Sequence, residues 1–141
     1  MKKRLFFLTI ILGLALGGPA FAAGATKEVA PGTSVEMPIL IAPMIVDGKL
    51  SGYAYVANTI LTTSPNAAID VRDKIPFIQD AFVRDVNGAS IAKGGDPNTV
   101  DIDGLTARLL ACVRRVVGTA KIAGVRLTQV QLAPLRTTPG G

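Results

Sequence analysis

Histidine and tryptophan are absent from this chain of 141 residues, cysteine occurs once, and aromatic residues make up only 5%. Each shortage excludes a class of chemistry. Without His there is no Ser–His or Cys–His nucleophile pair, no imidazole ligand for zinc, and no ordinary acid–base group titrating near neutral pH. A lone Cys112 cannot close an intrachain disulfide, so the fold must be held by its apolar core in any compartment. Flanked by Leu105 and Leu109 in a predicted helix, Cys112 reads as a small buried apolar residue. So few aromatics leave little on which nucleic-acid bases could stack.

What is present begins with a leader. Lys2, Lys3 and Arg4 make a positive start, residues 5–16 an apolar stretch, and Gly17-Gly18-Pro19 a helix-breaking approach to Ala20-Phe21-Ala22, the layout of a secretory signal peptide. The apolar run is short of the roughly 20 residues needed to span a bilayer. Cleavage is expected after Ala22, or one residue later after Ala23. No Cys follows the small residues, so the lipoprotein form is excluded. The alternative is an uncleaved inner-membrane anchor with the domain facing the periplasm. Taking 22 residues from 141 leaves 119, one domain's worth. The leader also carries three of the fifteen Lys and Arg and none of the ten Asp and Glu, so the mature charge is only +2 and is scattered, not a nucleic-acid footprint.

Residues 23–34, interrupted by Pro31-Gly32, read as a flexible lead-in. Residues 35–46 are apolar and β-branched but hold Pro38 and Pro43, which suggests an edge or bent strand. Asp47-Gly48 is a hairpin signal, and residues 50–62 supply the antiparallel partner, with Tyr53, Tyr55 and Ala57 on one face and Ala54, Val56, Asn58 and Ile60 on the other. Ser64-Pro65 caps a helix whose stripe is Ala68, Val71, Ile75, Ile78, Phe82 and Val86. Pro76 should kink or break it near Lys74-Ile75, and Asn87-Gly88 stops it. After a loop over 89–100, a second helix starts near Asp101 or Asp103 with Leu105, Leu109, Cys112 and Val116 as its main stripe, broadened by Leu110, Val113 and Val117, and ends at Gly118. Residues 124–132 read as a final strand with a bulge at Thr128-Gln129, and 133–141 as a frayed tail. The expected class is α+β: a small antiparallel or mixed sheet, in the order β-β-α-α-β, covered on one face by two helices within a single domain of residues 35–132.

Three constellations invite a chemical reading. Asp96 and Asn98 sit like the first ligands of a calcium loop, but Val100 and Asp101 occupy positions that need an oxygen ligand and a Gly, and no Glu closes the loop; turn and cap formation account for them. Asp70, Asp73, Asp80 and Asp85 alternate with Arg72, Lys74 and Arg84, the pattern of a solvated charged face. No catalytic, metal or cofactor residues emerge, and the chain reads as non-enzymatic. Tyr53 and Tyr55 could be interface anchors or could lie against a helix.

Around Lys74-Ile75-Pro76-Phe77-Ile78-Gln79-Asp80-Ala81, and again at Gly124-Val125-Arg126-Leu127-Thr128-Gln129-Val130-Gln131-Leu132, the chain resembles the flagellar basal-body-associated FliL family. The similarity in order and spacing covers residues 36–132. It implies a periplasmic domain of stomatin/prohibitin-like fold that forms rings around the stator units of the flagellar motor, with no catalysis and no cofactor. The family usually keeps an uncleaved transmembrane helix where this chain carries a leader, and the second helix here reads Cys112-Val113-Arg114-Arg115. The leading expectation is therefore an exported interaction domain that binds itself or an inner-membrane complex such as the stator, through a sheet edge or a helix face. Tyr53, Tyr55, Asp80 and Arg84 are its candidate contact residues, and neither nucleic acid nor metal is an expected partner. A periplasmic carrier of a small apolar ligand, held between helices and sheet, is the alternative suggested by the high aliphatic content. N-terminal sequencing of the exported protein should find Ala23 as its first residue, or Gly24 for the later cut; an intact Met1 in the membrane fraction would replace the cleaved leader with an anchor.

Overall fold

Alternation of side chains along Lys49–Thr62 builds the strand on which the rest of the domain is assembled. The computed structural model describes residue 30 and residues 32–136. Ser34–Glu36 (β1), Leu40–Val46 (β2), Lys49–Thr62 (β3) and Ile122–Pro134 (β4) form one antiparallel sheet, and Pro65–Asp73 (α1), Ile75–Gly88 (α2) and Ile102–Val117 (α3) are the helices. The class is α+β. The order is β-β-β-α-α-α-β, one strand and one helix more than the sequence suggests. The leader over residues 1–22, the cleavage points Ala22 and Ala23, most of the lead-in and residues 137–141 lie outside the described residues.

Both extra elements arise from proline. Residues 35–46 do not make one strand, because Pro38 cannot donate to a ladder; pairing lapses over residues 37–39 and the run divides into β1 and β2. The Met37 N–H still donates to the Asn58 carbonyl at 3.0 Å, which keeps the two pieces on the same side of β3. Gly52 to Val56 pair with both β2 and β4, and Thr59 to Leu61 with both β1 and β4. So β1 and β2 share one side of β3 and β4 occupies the other. The helix expected to kink or break near Lys74-Ile75 does break there, into two. Ser64 Oγ accepts from the Ala67 N–H at 3.1 Å and Pro65 opens α1. Pro76 has no N–H for the Arg72 carbonyl, so the chain closes α1 with Lys74 N–H to Val71 O and restarts α2 with the Phe77 and Ile78 N–H groups donating to Lys74 O, each at 3.0 Å.

The other boundaries follow local chemistry. Asp47 and Gly48 have φ of 52° and 73°, the positive pair a tight hairpin requires. Asp101 caps α3 by accepting from the Gly104 N–H at 3.1 Å, and Gly118, at φ 120°, ends it. In β4 the register shifts where Ala57 pairs with Gln129 but Asn58 with Leu127, leaving Thr128 as the bulge. Two corrections fall at the ends: Ser34 belongs to β1 rather than to a lead-in, and Ala133 and Pro134 belong to β4 rather than to a tail.

All three helices lie on one face of the sheet. Leu40, Ala42, Met44, Val56 and Ile60 meet Val71, Ile78, Phe82, Leu105 and Leu109 there, and each is at most 1% exposed. A fully buried aliphatic or aromatic side chain of this kind is worth about 1.5–3 kcal/mol. On α3 the buried stripe runs through Cys112, Val113 and Val117, with Val116 only partly covered. Asn58 points into the same layer at 2% exposure, and among the described residues neither its amide nitrogen nor its oxygen has a partner. Such a group costs about 1–3 kcal/mol, which the surrounding apolar layer must offset.

β4 lies close against β3 at Gly52: a Cβ there would lie 2.5 Å from the Ala133 carbonyl oxygen and 2.9 Å from Pro134 Cα. Gly52→Ala should push the end of β4 away, lower stability by about 1–3 kcal/mol, and speed amide exchange at Leu135, whose N–H donates to Ser51 O at 3.0 Å. Wild-type protection of Leu135 in that variant would refute the close approach.

Candidate functional site

With the helices on one face, the alternation of β3 turns Tyr53 and Tyr55 to the other. Cross-strand pairing sets Tyr55 between Ile41 of β2 and Gln131 of β4, and Tyr53 between Pro43 and Ala133. Ile41 is 51% exposed and Tyr55 40%, and Ile39 lies open beside them. Ile39, Tyr55, Ala57, Gln129 and Gln131 bound a shallow hollow of about 220 Å³. Tyr53 and Tyr55 therefore do not lie against a helix. The result is a surface of aromatic and branched side chains edged by glutamine amides, apolar at its centre and able to hydrogen-bond at its margin.

Asp80 and Arg84 lie elsewhere. They form an exposed (i, i+4) ion pair, Arg84 Nε to Asp80 Oδ2 at 3.0 Å, on the outer side of α2. Pairs of this type contribute about 0.3–0.5 kcal/mol. They line a groove of about 510 Å³ between α2 and α3, together with Phe77, Cys112, Arg115 and Val116. Phe77 stands 67% exposed at its rim. Arg115 Nη2 lies 3.2 Å from Cys112 Sγ, at the groove's floor. The sequence-derived contact residues therefore fall into two pairs on opposite sides of the sheet.

The side chain that sequence reasoning missed is Arg108. Its guanidinium donates from Nε to Asp85 Oδ2 at 2.8 Å, from Nη2 to the Asp85 and Ala89 carbonyls at 2.9 and 3.0 Å, and from Nη1 to Ser90 O at 3.0 Å. One planar fork thus satisfies the carbonyl end of α2 and fixes the start of the following loop to α3. The available signal was negative: the last turn of α2 holds no basic residue, so a cation had to come from elsewhere in the chain. In that loop Ile91 and Val100 are buried, and Ala92 bridges to Val100. Asp96, considered for calcium, accepts instead from the Thr99 hydroxyl and the Asn98 N–H, bonds that hold its carboxyl below the usual range. Among the described residues no three His, Cys, Asp or Glu side chains converge as a metal site, and no helix is long and apolar enough to cross a membrane.

Compared with known proteins, the chain matches no family model and no curated protein sequence.

A second tie joins α1 to the turn before β4: Lys121 Nζ lies 2.6 Å from Asp70 Oδ2. The hydrogen bond from Lys121, and then its charge, lower the Asp70 carboxyl below its ordinary value of 3.8. A depressed carboxyl favours the folded state above its unfolded value, and that contribution is lost as pH falls from there through the folded value. Lys121→Met should return the Asp70 titration, followed by carboxyl-carbon NMR, towards the ordinary value. It should also remove the part of the acid sensitivity of α1 that lies below pH 3.8. An unmoved titration would show that the contact is absent in solution.

Proposed function

We propose that this chain is an exported, non-catalytic interaction domain that binds itself or an inner-membrane complex such as the flagellar motor stator. The observation that carries the reading is the uncovered face of the sheet, where Ile41, Tyr53 and Tyr55 stand open to solvent on regular strands. Tyrosines suit such a role, because each offers a large rigid ring at little cost in side-chain entropy together with a polar tip. The resemblance to the FliL family supports the stator as the partner, and the leader supports the periplasm. The aliphatic content that suggested a ligand carrier also fills the packed layer between helices and sheet.

Light scattering on the exported chain, alone and with solubilised stator units, should find a species larger than the monomer. Tyr55→Ser should weaken that association by about tenfold or more while leaving the thermal transition in place, since Tyr55 is not a core residue. A monomer at every concentration that also binds no stator unit would overturn the reading.

A further inference from the structure

The two edges of the sheet are protected very unequally. β2 carries Pro43 within the strand and Pro38 just before it. The carbonyl of Ile45 accepts from Ser90 Oγ at 2.6 Å, and that of Ile39 from Gln79 Nε2 at 3.5 Å. Proline, side-chain caps and a covering helix are the devices that keep an edge strand from pairing with another chain. On β4 such devices sit only at the two ends, Arg126 and the Thr128 bulge before residue 129 and Pro134 after residue 133, so residues 129–133 carry none. The strand runs for 13 residues with no proline before Pro134 and no charge but Arg126. Among the described residues its backbone pairs with β3 alone.

We infer that the free edge of β4 pairs, antiparallel, with β4 of a second copy of this chain. The bulge at Thr128 breaks the regular ladder, so the segment suited to pairing is the part after it, from Gln129 to Ala133. A two-fold axis at Gln131 sets Gln131 against itself, Val130 against Leu132 of the second copy, and Gln129 against Ala133 of the second copy. That register is self-complementary. Val130 and Leu132 sit on the helix side of the sheet, only partly covered, at the margin of the core, and each gains an apolar neighbour. Arg126 lies beyond the bulge and stays out of the paired segment. On the other side of the sheet, Gln131 is the cross-strand neighbour of Tyr55. A row Tyr55, Gln131, Gln131, Tyr55 would then cross the junction and join the two open faces into one surface. An isologous contact of this kind closes at two copies. This rests on the self-association in the proposed function and names its contact.

Gln131→Lys tests it, because the two introduced ammonium groups would oppose each other at the axis. In sedimentation of the full exported chain the dimer dissociation constant should rise by about tenfold or more. At dilutions where both proteins are monomeric the melting transition should be unchanged, since Gln131 is exposed. Gln131→Cys should give an interchain disulfide under mild oxidation, whereas Gln129→Cys, which faces Ala133, should not. A dimer that keeps wild-type affinity with Gln131→Lys, or cross-linking as efficient from position 129 as from 131, would overturn the edge pairing and leave self-association standing. A chain that stays monomeric yet binds the stator would overturn the pairing while sparing the broader function. A monomer that binds nothing would overturn both.

Discussion

Every strand of the sheet is hydrogen-bonded to β3 and, among the described residues, to no other strand. That constraint organises the molecule. Because side chains along a strand alternate, fixing which residues of β3 face the helices fixes the facing of β1, β2 and β4 through their registers. A slip of one residue would put Tyr53 and Tyr55 into the helix layer and Val56 and Ile60 into water. The buried residues on the helix side thus determine, indirectly, that the tyrosines stay outside. The candidate binding face is a by-product of core packing and needs no dedicated scaffold.

The helix layer is joined from a few points. Arg108 ties α3 to the end of α2, Lys121 ties the turn before β4 to α1, and Lys74, at the break between α1 and α2, donates to the Val116 carbonyl at 3.3 Å. All three contacts link positions distant in sequence, and two of them end on backbone carbonyls in the last turn of a helix. The break lets α1 pack on β1 and β3 while α2 packs on β2.

Much of this was legible in the sequence, and the limits have physical causes. The alternation of β3, the Asp47-Gly48 hairpin, the Ser64 and Asp101 caps, the break near Lys74 and the bulge at Thr128 are local, and local chemistry decides them. The subdivision of residues 35–46 was harder. Proline shows that a donor is missing, but whether the strand bends or stops depends on what lies opposite, here the Asn58 carbonyl that takes the Met37 N–H. The Arg108 fork was invisible because it joins residues up to 23 apart in sequence, and no spacing rule brings them together. Tyr53 and Tyr55 could be assigned to one face but not to the uncovered one, since the side the helices take is set by the whole core. Asp80 and Arg84 were rightly placed on a solvated helix face, but their groove exists only because α3 lies alongside.

Cys112, at 1% exposure, has a consequence for how the chain meets thiol chemistry in any compartment. The native thiol is sealed from glutathione and from oxidoreductases, and with no second cysteine it cannot scramble, so maturation makes no demand on disulfide-forming machinery. The same thiol becomes reactive whenever the packing of α3 against α2 opens. Alkylation of this one sulfur is therefore an intrinsic clock for unfolding, readable in crude extract without a label or a tag.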